Sequence, residues 1–326
     1  MSSFWQHRNI FITGCSSFIG SWLTELLLQE EAHIVGLLRD IVPQARLFRL
    51  KLNEKINVIE GTVDDYLLLE RALNEYEIDT VFHLAAQTIV GAGHRSPLPT
   101  FETNIQGTWN VLEACRRNRS LVKRIIIASS VNAYGVQEKL PYTETSPLKG
   151  TYPYDVSKTC TDLIAYTYFH TYDLPVVITR CGNIYGGGDL NFNRLIPGTI
   201  KSVFYHEPII IRSSGTVKRD YCYVKDVVRA YLTLAENVEK LHLAGEAFNF
   251  SSGSQVSVLD IIYKILEIMD QKDFPIHILN EAKGEMKDQY LSIEKSKTVL
   301  NWFPQYSLQD GLRETVEWYR EFFNGN

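Results

Sequence analysis

Short apolar segments alternate with amphipathic segments through the first half of the chain, and this alternation strongly constrains the fold. The apolar segments predict strands at Asn9–Ile12, His33–Leu38, Asn57–Ile59, Thr80–Leu84, Arg124–Ala128 and Pro175–Arg180. The intervening segments predict helices at Phe18–Leu28, Tyr66–Tyr76, Phe101–Cys115 and Tyr154–Tyr172. Runs that are apolar throughout are typical of parallel strands covered on both faces. The sequence therefore predicts an α/β fold with a doubly wound parallel sheet.

A glycine-containing turn, Thr13-Gly14-Cys15-Ser16-Ser17-Phe18-Ile19-Gly20, follows the first predicted strand and opens the first helix. Such a turn offers backbone N–H groups and a helix N-terminus to a pyrophosphate, as in Rossmann dinucleotide-binding domains. Ser17 stands where the usual spacing has its middle glycine, so its side chain would crowd the closest approach. Arg39 and Asp40 follow the second strand. Aspartate there favours NAD and arginine favours NADP, so both cofactors stay open.

Tyr154 and Lys158 lie four residues apart and would share one face of a helix. A neighbouring ammonium favours the phenolate, so we expect Lys158 to lower the pKa of Tyr154. A phenol poised in this way can take a hydroxyl proton while hydride leaves the same carbon. The glycine-containing turn lies upstream, and a loop that carries hydroxyl groups, Ser129–Gly135, lies between that turn and the pair. Together these features indicate a hydride-transfer enzyme.

Composition excludes several other classes of function. The net charge of −5, without a Lys/Arg-rich run, gives no reason to expect nucleic acid. No apolar stretch approaches membrane-spanning length, and the polar segment Met1–Asn9 lacks the apolar core of a signal peptide, so we expect a cytoplasmic protein. The five scattered cysteines include no Cys-x-x-Cys pair and are expected to be buried thiols. No residue cluster has metal-ligand spacing, which predicts no catalytic metal.

Over essentially its whole length the chain resembles the extended short-chain dehydrogenase/reductase family that modifies nucleotide sugars. The resemblance is carried by Thr13–Gly20, His83–Gln87, Thr103–Thr108, Ser129–Gly135, Tyr154–Lys158, Arg180–Gly186, Arg194–Pro197 and Arg219–Tyr221. Within the family the chain is most similar to the CDP-glucose 4,6-dehydratase branch, through Gly186-Gly187-Gly188-Asp189 and Arg194-Leu195-Ile196-Pro197.

The resemblance implies roles for individual residues. Tyr154 would take the proton of the sugar C4 hydroxyl, Ser130 would hydrogen-bond the same oxygen, and Lys158 would hold the nicotinamide ribose. With Tyr154 and Lys158, the implied cofactor-binding residues are Gly14, Ser17, Phe18, Ile19, Gly20, Arg39, Asp40, Thr62, Val63, Leu84, Ala85, Ala86, Gln87 and Asn104. The implied substrate-binding residues are Asn132, Asn183, Arg194, Leu195, Arg212 and Arg219.

The regular alternation of strands and helices ends after Arg180, which predicts a smaller, discontinuous substrate-binding domain. We expect residues 1–180 and about 222–250 to bind the dinucleotide. Residues 181–221 and 251–326, ending in a predicted helix at Leu308–Phe323, would bind the nucleotide sugar. The Tyr154–Tyr172 helix is richer in apolar and aromatic residues than one sheet face requires, which favours a homodimer. The family resemblance implies that this helix and Phe101–Cys115 would pair with their copies.

Three departures from the family pattern involve four positions. Ser17 is the first, and Thr62 is the second, replacing a usual aspartate near the adenine. The third departure is Val131 with Asn132, where dehydratases generally carry an acid/base pair. Valine cannot transfer a proton, and a neutral asparagine can only hydrogen-bond.

These departures leave several reactions open. Whole-chain resemblance favours a 4,6-dehydratase, whereas the loss of the acid/base pair favours a 4-epimerase or a 4-keto reductase, which need only Ser130, Tyr154 and Lys158. A uronate decarboxylase and a non-catalytic NAD(P)-binding regulator are further alternatives. Glu138, Tyr142 and Glu144 could replace the missing pair, but we expect them to be solvated loop residues.

Overall fold

The computed structural model describes residues 4–281 and 288–325 of the chain. The domain ranges predicted above also include 1–3, 282–287 and 326, which lie outside the described residues. The strands are β1 Asn9–Thr13, β2 His33–Leu38, β3 Asn57–Glu60, β4 Thr80–His83, β5 Arg124–Ala128, β6 Val176–Cys181, β7 Asn183–Tyr185, β8 Ile209–Ile211, β9 Lys218–Tyr223, β10 Ala247–Phe250, β11 Gln255–Ser257 and β12 Ile276–Ile278.

The α-helices alternate with these strands through the first half of the chain. They are α1 Phe18–Gln29, α2 Arg46–Arg49, α3 Tyr66–Glu75, α4 Val90–Arg95, α5 Leu98–Phe101, α6 Gly107–Arg117, α7 Pro153–Tyr172, α8 Leu195–Phe204, α9 Val224–Asn237, α10 Val258–Ile268, α11 Glu294–Leu300 and α12 Leu308–Asn324. No helix in the described part of the chain is long and apolar enough to cross a membrane.

A seven-stranded sheet in the order β10-β6-β5-β4-β1-β2-β3 forms the centre of the fold. Every neighbouring pair in it is parallel, which confirms the predicted doubly wound sheet. Successive residues of a strand point to opposite faces, so Ile10 and Ile126 join one core cluster while Phe11 and Ile127 join the other. Both faces are therefore covered, which explains why the strands are apolar throughout.

A second region carries a three-stranded sheet, β11-β9-β7, and the parallel pair β12-β8. Helices α8, α10 and α12 pack with them around Ile200, Ile265 and Tyr319. Trp302, which follows α11, instead packs into the cluster that holds Ile10 and Phe248 of the large sheet. The division into two domains stays a prediction. This C-terminal segment packs against the large sheet, which belongs to the range predicted to bind the dinucleotide.

The helix predicted at Phe101–Cys115 differs from the observed one. Helix α5, a π-helical segment at Glu102–Gln106 and α6 follow one another without a break. A π-helical turn inserts an extra residue into the helical repeat and often occurs at functional sites. Here it contains the buried Asn104, whose contacts are described below.

A buried ion pair joins α7 to β6. Arg180 Nη2 lies 2.7 Å from Asp162 Oδ1, and both side chains are almost inaccessible to solvent. The Ser129 hydroxyl donates to the other carboxylate oxygen, and Arg180 also donates to the Tyr134 hydroxyl at 2.8 Å. The pair therefore connects the ends of β5 and β6 to the helix between them.

We expect Asp162→Asn to lower the free energy of unfolding by about 3–5 kcal/mol, because it leaves the Arg180 charge buried without its counter-ion. Urea unfolding followed by circular dichroism measures this change. Glu75→Gln is the matched control, since it removes an exposed ion pair to Arg71 and should change stability by less than about 1 kcal/mol. Equal urea midpoints for the two variants would contradict the role assigned to the buried pair.

Candidate active site

A cavity of about 800 Å³ opens at the carboxyl ends of the large sheet, where ligands bind in this type of fold. The segments after β1, β4, β5 and β6 contribute to its wall, together with α7 and the start of α8. Twelve of the predicted site residues line it: Phe18, Ile19, Leu84, Ala86, Ser130, Asn132, Tyr154, Lys158, Asn183, Arg194, Leu195 and Arg212.

The other predicted site residues lie outside this wall. Gly14, Ser17 and Gly20 belong to the turn that leads into α1. Arg39 and Asp40 form an exposed ion pair after β2, and Val63 is buried against Gly107. Thr62 precedes Val63, Ala85 and Gln87 follow β4, Asn104 lies in the π-helical segment, and Arg219 borders a second, smaller cavity.

The turn after β1 has the close-packed geometry that a dinucleotide requires. Gly14 has φ +72°, and a Cβ there would lie 3.0 Å from the Ala85 backbone nitrogen. A Cβ at Gly20 would lie 2.1 Å from the Gly14 carbonyl oxygen. Ser17 is the N-cap of α1, with its hydroxyl accepting from the Gly20 N–H at 3.1 Å. The turn therefore fits a pyrophosphate, and the serine side chain takes up a capping hydrogen bond.

Asn104 fixes the segment that follows β4. Its side-chain oxygen accepts from the Gln87 N–H at 2.7 Å, while its amide donates to the Gln87 carbonyl at 3.1 Å and to the Ser157 hydroxyl at 2.9 Å. The π-helical turn brings this amide between α7 and the cavity wall. Asn104 therefore supports the segment between Ala86 and Thr88, two residues that line the cavity.

Thr13 and His83 support the same wall, and Thr13 is a residue that the sequence analysis did not single out. The Thr13 hydroxyl accepts from the N–H groups of Leu84 and Ala85, each at 3.1 Å. His83 is buried between the hydroxyls of Thr13 and Thr108. Burial, with a smaller effect of the Lys158 charge, lowers the pKa of His83 to about 3, so this imidazole is neutral.

Ser130, Tyr154 and Lys158 converge on the cavity, but the structure does not show the expected lowering of the Tyr154 pKa. Burial raises the pKa of Tyr154 despite a hydrogen bond with Ser130 and the Arg194 charge, which both lower it. Lys158 instead donates from Nζ to the Ala128 carbonyl at 2.7 Å. Burial lowers the pKa of this ammonium to about 8, against a smaller opposing effect of Asp162.

The two positions after Ser130 have different surroundings. The Val131 side chain is buried in an apolar cluster with Tyr134, Tyr142 and Leu291, although the residue borders the cavity. Asn132 also borders the cavity, and its amide donates to Asp155 Oδ1 at 3.0 Å. Neither position carries an ionisable group, but a carboxylate lies directly behind one of them.

The expectation of solvated loop residues is wrong for Tyr142, whereas Glu144 is partly exposed. Tyr142 is buried, and its hydroxyl donates to the Gly135 carbonyl at 3.0 Å. The Glu144 carboxylate accepts from the Asn249 N–H at 2.8 Å, which ties the loop to β10. Glu138 is exposed, as expected. Tyr142 and Glu144 therefore help to hold the loop in place.

Arg194 is oriented by residues that the sequence analysis did not assign. Its guanidinium lies 2.8 Å from Asp189 Oδ2 and donates to the Thr88 hydroxyl at 3.1 Å. Asp189 and Arg194 are five residues apart and the segment between them is irregular, so their spacing gives no periodic signal for this pair. Among the described residues, no group of three or more histidine, cysteine or acidic side chains is placed to hold a metal ion.

We expect the Lys158 ammonium to lose its proton near pH 8, well below the ordinary 10.5 of lysine. It should be charged below that pH and neutral above it, because burial penalises the charged form. The ¹³Cε signal of labelled lysine, assigned by its absence in Lys158→Met, reports this titration. A signal that stays in its charged position up to pH 10 would contradict the expectation.

Comparison with known proteins agrees with this geometry. A sequence profile of the GDP-mannose 4,6-dehydratase family matches residues 11–315. The chain is 28% identical to CDP-glucose 4,6-dehydratase of Salmonella typhimurium, covering 99% of this chain and 93% of that one. It is 31% identical to UDP-glucuronate 4-epimerase of Thermodesulfobacterium geofontis, covering 95% of each.

The fold agrees in the same way with that of solved structures. UDP-glucuronic acid 4-epimerase of Bacillus cereus, in complex with UDP-glucuronic acid and NAD, superposes with a TM-score of 0.87 at 28% identity, covering 96% of this chain and 99% of that one. The chain therefore belongs to the extended short-chain dehydrogenase/reductase family of NAD-dependent nucleotide-sugar dehydratases and epimerases.

Proposed function

We propose that this enzyme oxidises C4 of a nucleotide sugar with NAD or NADP and then completes a 4,6-dehydration. The observation that carries the proposal is the convergence of Ser130, Tyr154 and Lys158 on one cavity at the carboxyl ends of the sheet. Tyr154 takes the C4 hydroxyl proton, and Ser130, already hydrogen-bonded to Tyr154, holds the same oxygen. The nicotinamide, when bound, accepts the C4 hydride and later returns it to the sugar.

In this proposal the cofactor lies along the first half of the chain. The turn from Gly14 to Gly20 holds the pyrophosphate, and the segment from Leu84 to Gln87 lies at the nicotinamide half. Arg39 and Asp40 are both exposed, so either can reach the adenosine ribose. Thr62 and Val63 would lie near the adenine. Lys158 would exchange its bond to the Ala128 carbonyl for the nicotinamide ribose.

The nucleotide sugar occupies the other half of the cavity. Arg194 and Arg212 border it, and guanidinium groups suit a diphosphate because they can form two parallel hydrogen bonds. Arg194 is already oriented by Asp189 and Thr88. The further substrate-binding residues in this proposal are Asn132, Asn183, Leu195 and Arg219.

Two observations bear on the reaction that follows C4 oxidation. Similarity to CDP-glucose 4,6-dehydratase over nearly the whole chain supports dehydration. The buried Val131 and the amide of Asn132 support the second candidate, a 4-epimerase, because that reaction needs no acid/base group at C5 or C6. The similarity to UDP-glucuronate 4-epimerase agrees with this second candidate.

A substrate panel tests the proposal. The purified protein is incubated with CDP-, UDP-, GDP- and dTDP-glucose and with UDP-N-acetylglucosamine, each with NAD or NADP, and products are followed by mass spectrometry. We expect a product lighter by one water. An unchanged mass with a new C4 epimer would instead support the epimerase, and no turnover on any substrate would contradict both.

Tyr154→Phe should lower turnover by about a hundred- to ten-thousand-fold, because it removes the group that takes the C4 hydroxyl proton. Cofactor binding, measured by calorimetry, should persist, since the pyrophosphate turn is unchanged. Tyr263→Phe is the matched control, because Tyr263 is exposed on α10 outside the cavity wall. Equal turnover by the two variants would remove Tyr154 from the reaction.

We also propose that the protein is a cytoplasmic homodimer. Trp109 on α6 and Leu163 and Tyr166 on α7 are each about half exposed, and the two helices lie side by side. Such an apolar surface favours a second copy of the chain. The five free cysteines suit a reducing compartment.

Leu163→Glu should convert the dimer to a monomer, because it buries a charge without a partner at the proposed contact. Light scattering after size-exclusion chromatography measures the mass. Tyr263→Glu places the same charge on an exposed position of α10 and should leave the mass unchanged. A wild-type protein that is monomeric at tens of micromolar would overturn the dimer.

A further inference from the structure

We propose that Asp155 performs the proton transfer at sugar C5 that Val131 and Asn132 cannot perform. The inference rests on the proposed 4,6-dehydration, which produces a C4 ketone and so acidifies the C5 hydrogen. The residue directly follows Tyr154 on α7. Asp189 lines the large cavity but is paired with Arg194; the carboxylate that lines the smaller, adjoining cavity is Asp155.

Asp155 lines a second cavity of about 220 Å³. This cavity adjoins the large one, since Val90, Asn132 and Asn183 border both. The remaining residues around it are His94, Tyr152, Arg219 and Gln289. A sugar held between Asn132 and Asn183 would therefore have the carboxyl of Asp155 at its side.

The two oxygens of Asp155 differ in their partners. Oδ1 accepts from the Asn132 amide at 3.0 Å. Oδ2 is buried and has no hydrogen-bond partner among the described residues. The residue as a whole is only 2% exposed. A buried carboxylate oxygen without a partner is costly, and in a native structure it points to a ligand or a catalytic role. The position in the first turn of α7 explains a carboxylate, but it does not explain the free oxygen.

The surroundings suit a group that exchanges protons. Burial raises the pKa of Asp155, against lowering by the Asn132 amide, the Tyr152 N–H and the His94 charge. A carboxylate with a raised pKa is a stronger base than an exposed one, and a pKa nearer the working pH suits a group that must both take and give back a proton. Arg219, like His94, borders this cavity.

The proposed step conserves atoms and electrons. The Asp155 carboxylate takes the C5 proton, and the C–H electron pair moves toward the C4 carbonyl oxygen, where Ser130 and Tyr154 hydrogen-bond the enolate. The same pair then forms the C5–C6 double bond while the C6–O bond breaks. The leaving hydroxide takes the proton back from Asp155 and departs as water. Asn132 holds Oδ1, and a turn of the carboxylate about the Asp155 side chain would bring the buried Oδ2 to the sugar.

A proton-exchange experiment tests Asp155 separately from hydride transfer. The enzyme is incubated in D₂O with CDP-, GDP- and dTDP-linked 4-keto-6-deoxyhexoses, and deuterium at C5 is measured by NMR. We expect Asp155→Asn to slow this exchange by at least about a hundredfold. Asparagine can keep the bonds from Asn132 and Tyr152, and thermal unfolding checks that the variant is folded. Glu144→Gln is the matched control, because Glu144 contacts the Asn249 N–H and should keep wild-type exchange.

The outcomes separate this inference from the proposed function. Loss of exchange in Asp155→Asn supports the inference, even if the substrate panel shows no loss of water and so contradicts dehydration. Wild-type exchange in Asp155→Asn, with dehydration intact, overturns Asp155 and leaves the proposed function standing. A wild-type enzyme that neither exchanges C5 nor releases water overturns both.

Discussion

The buried ion pair between Asp162 and Arg180 helps to hold the parts of the proposed catalytic centre in position. Asp162 lies one turn after Lys158 on α7, and Arg180 precedes Cys181, which borders the cavity. Through Ser129 and Tyr134 the same network reaches the end of β5 and the loop that follows it. Charge-assisted hydrogen bonds in a buried site favour one geometry over others. The separation of Ser130 from Tyr154 therefore depends on this network as much as on the packing of α7 against the sheet.

Much of the fold follows from the local sequence. Strands at His33–Leu38 and Arg124–Ala128 have the predicted bounds, because apolar runs of this length are typical of parallel strands covered on both faces. The helix through Asn104 was predicted without its π-helical segment. That segment serves the contact between Asn104 and Gln87, which joins residues far apart in the chain and leaves no periodic signal.

The same distinction applies to the site. The motif residues Ser130, Tyr154 and Lys158 meet at the cavity as predicted, since the topology brings the ends of parallel strands together. The surroundings of Tyr142 and Glu144 could not be predicted, because their partners on Gly135 and β10 depend on how the loop folds back. The burial that raises the pKa of Tyr154 likewise arises only in the assembled fold.

The position of the Asp155 carboxylate on α7 bears directly on the proposed reaction. A carboxylate at position 131 would enter the apolar cluster of Tyr134, Tyr142 and Leu291 and would lose hydration there. On α7, beside Tyr154, a carboxylate is held by the rigid first turns of the helix and by the Asn132 amide. Tyr154 at C4 and Asp155 at C5 would then belong to one rigid element, with their spacing set by the helix. In such a site the choice between dehydration and epimerisation depends on whether C5 of the bound sugar can approach Asp155.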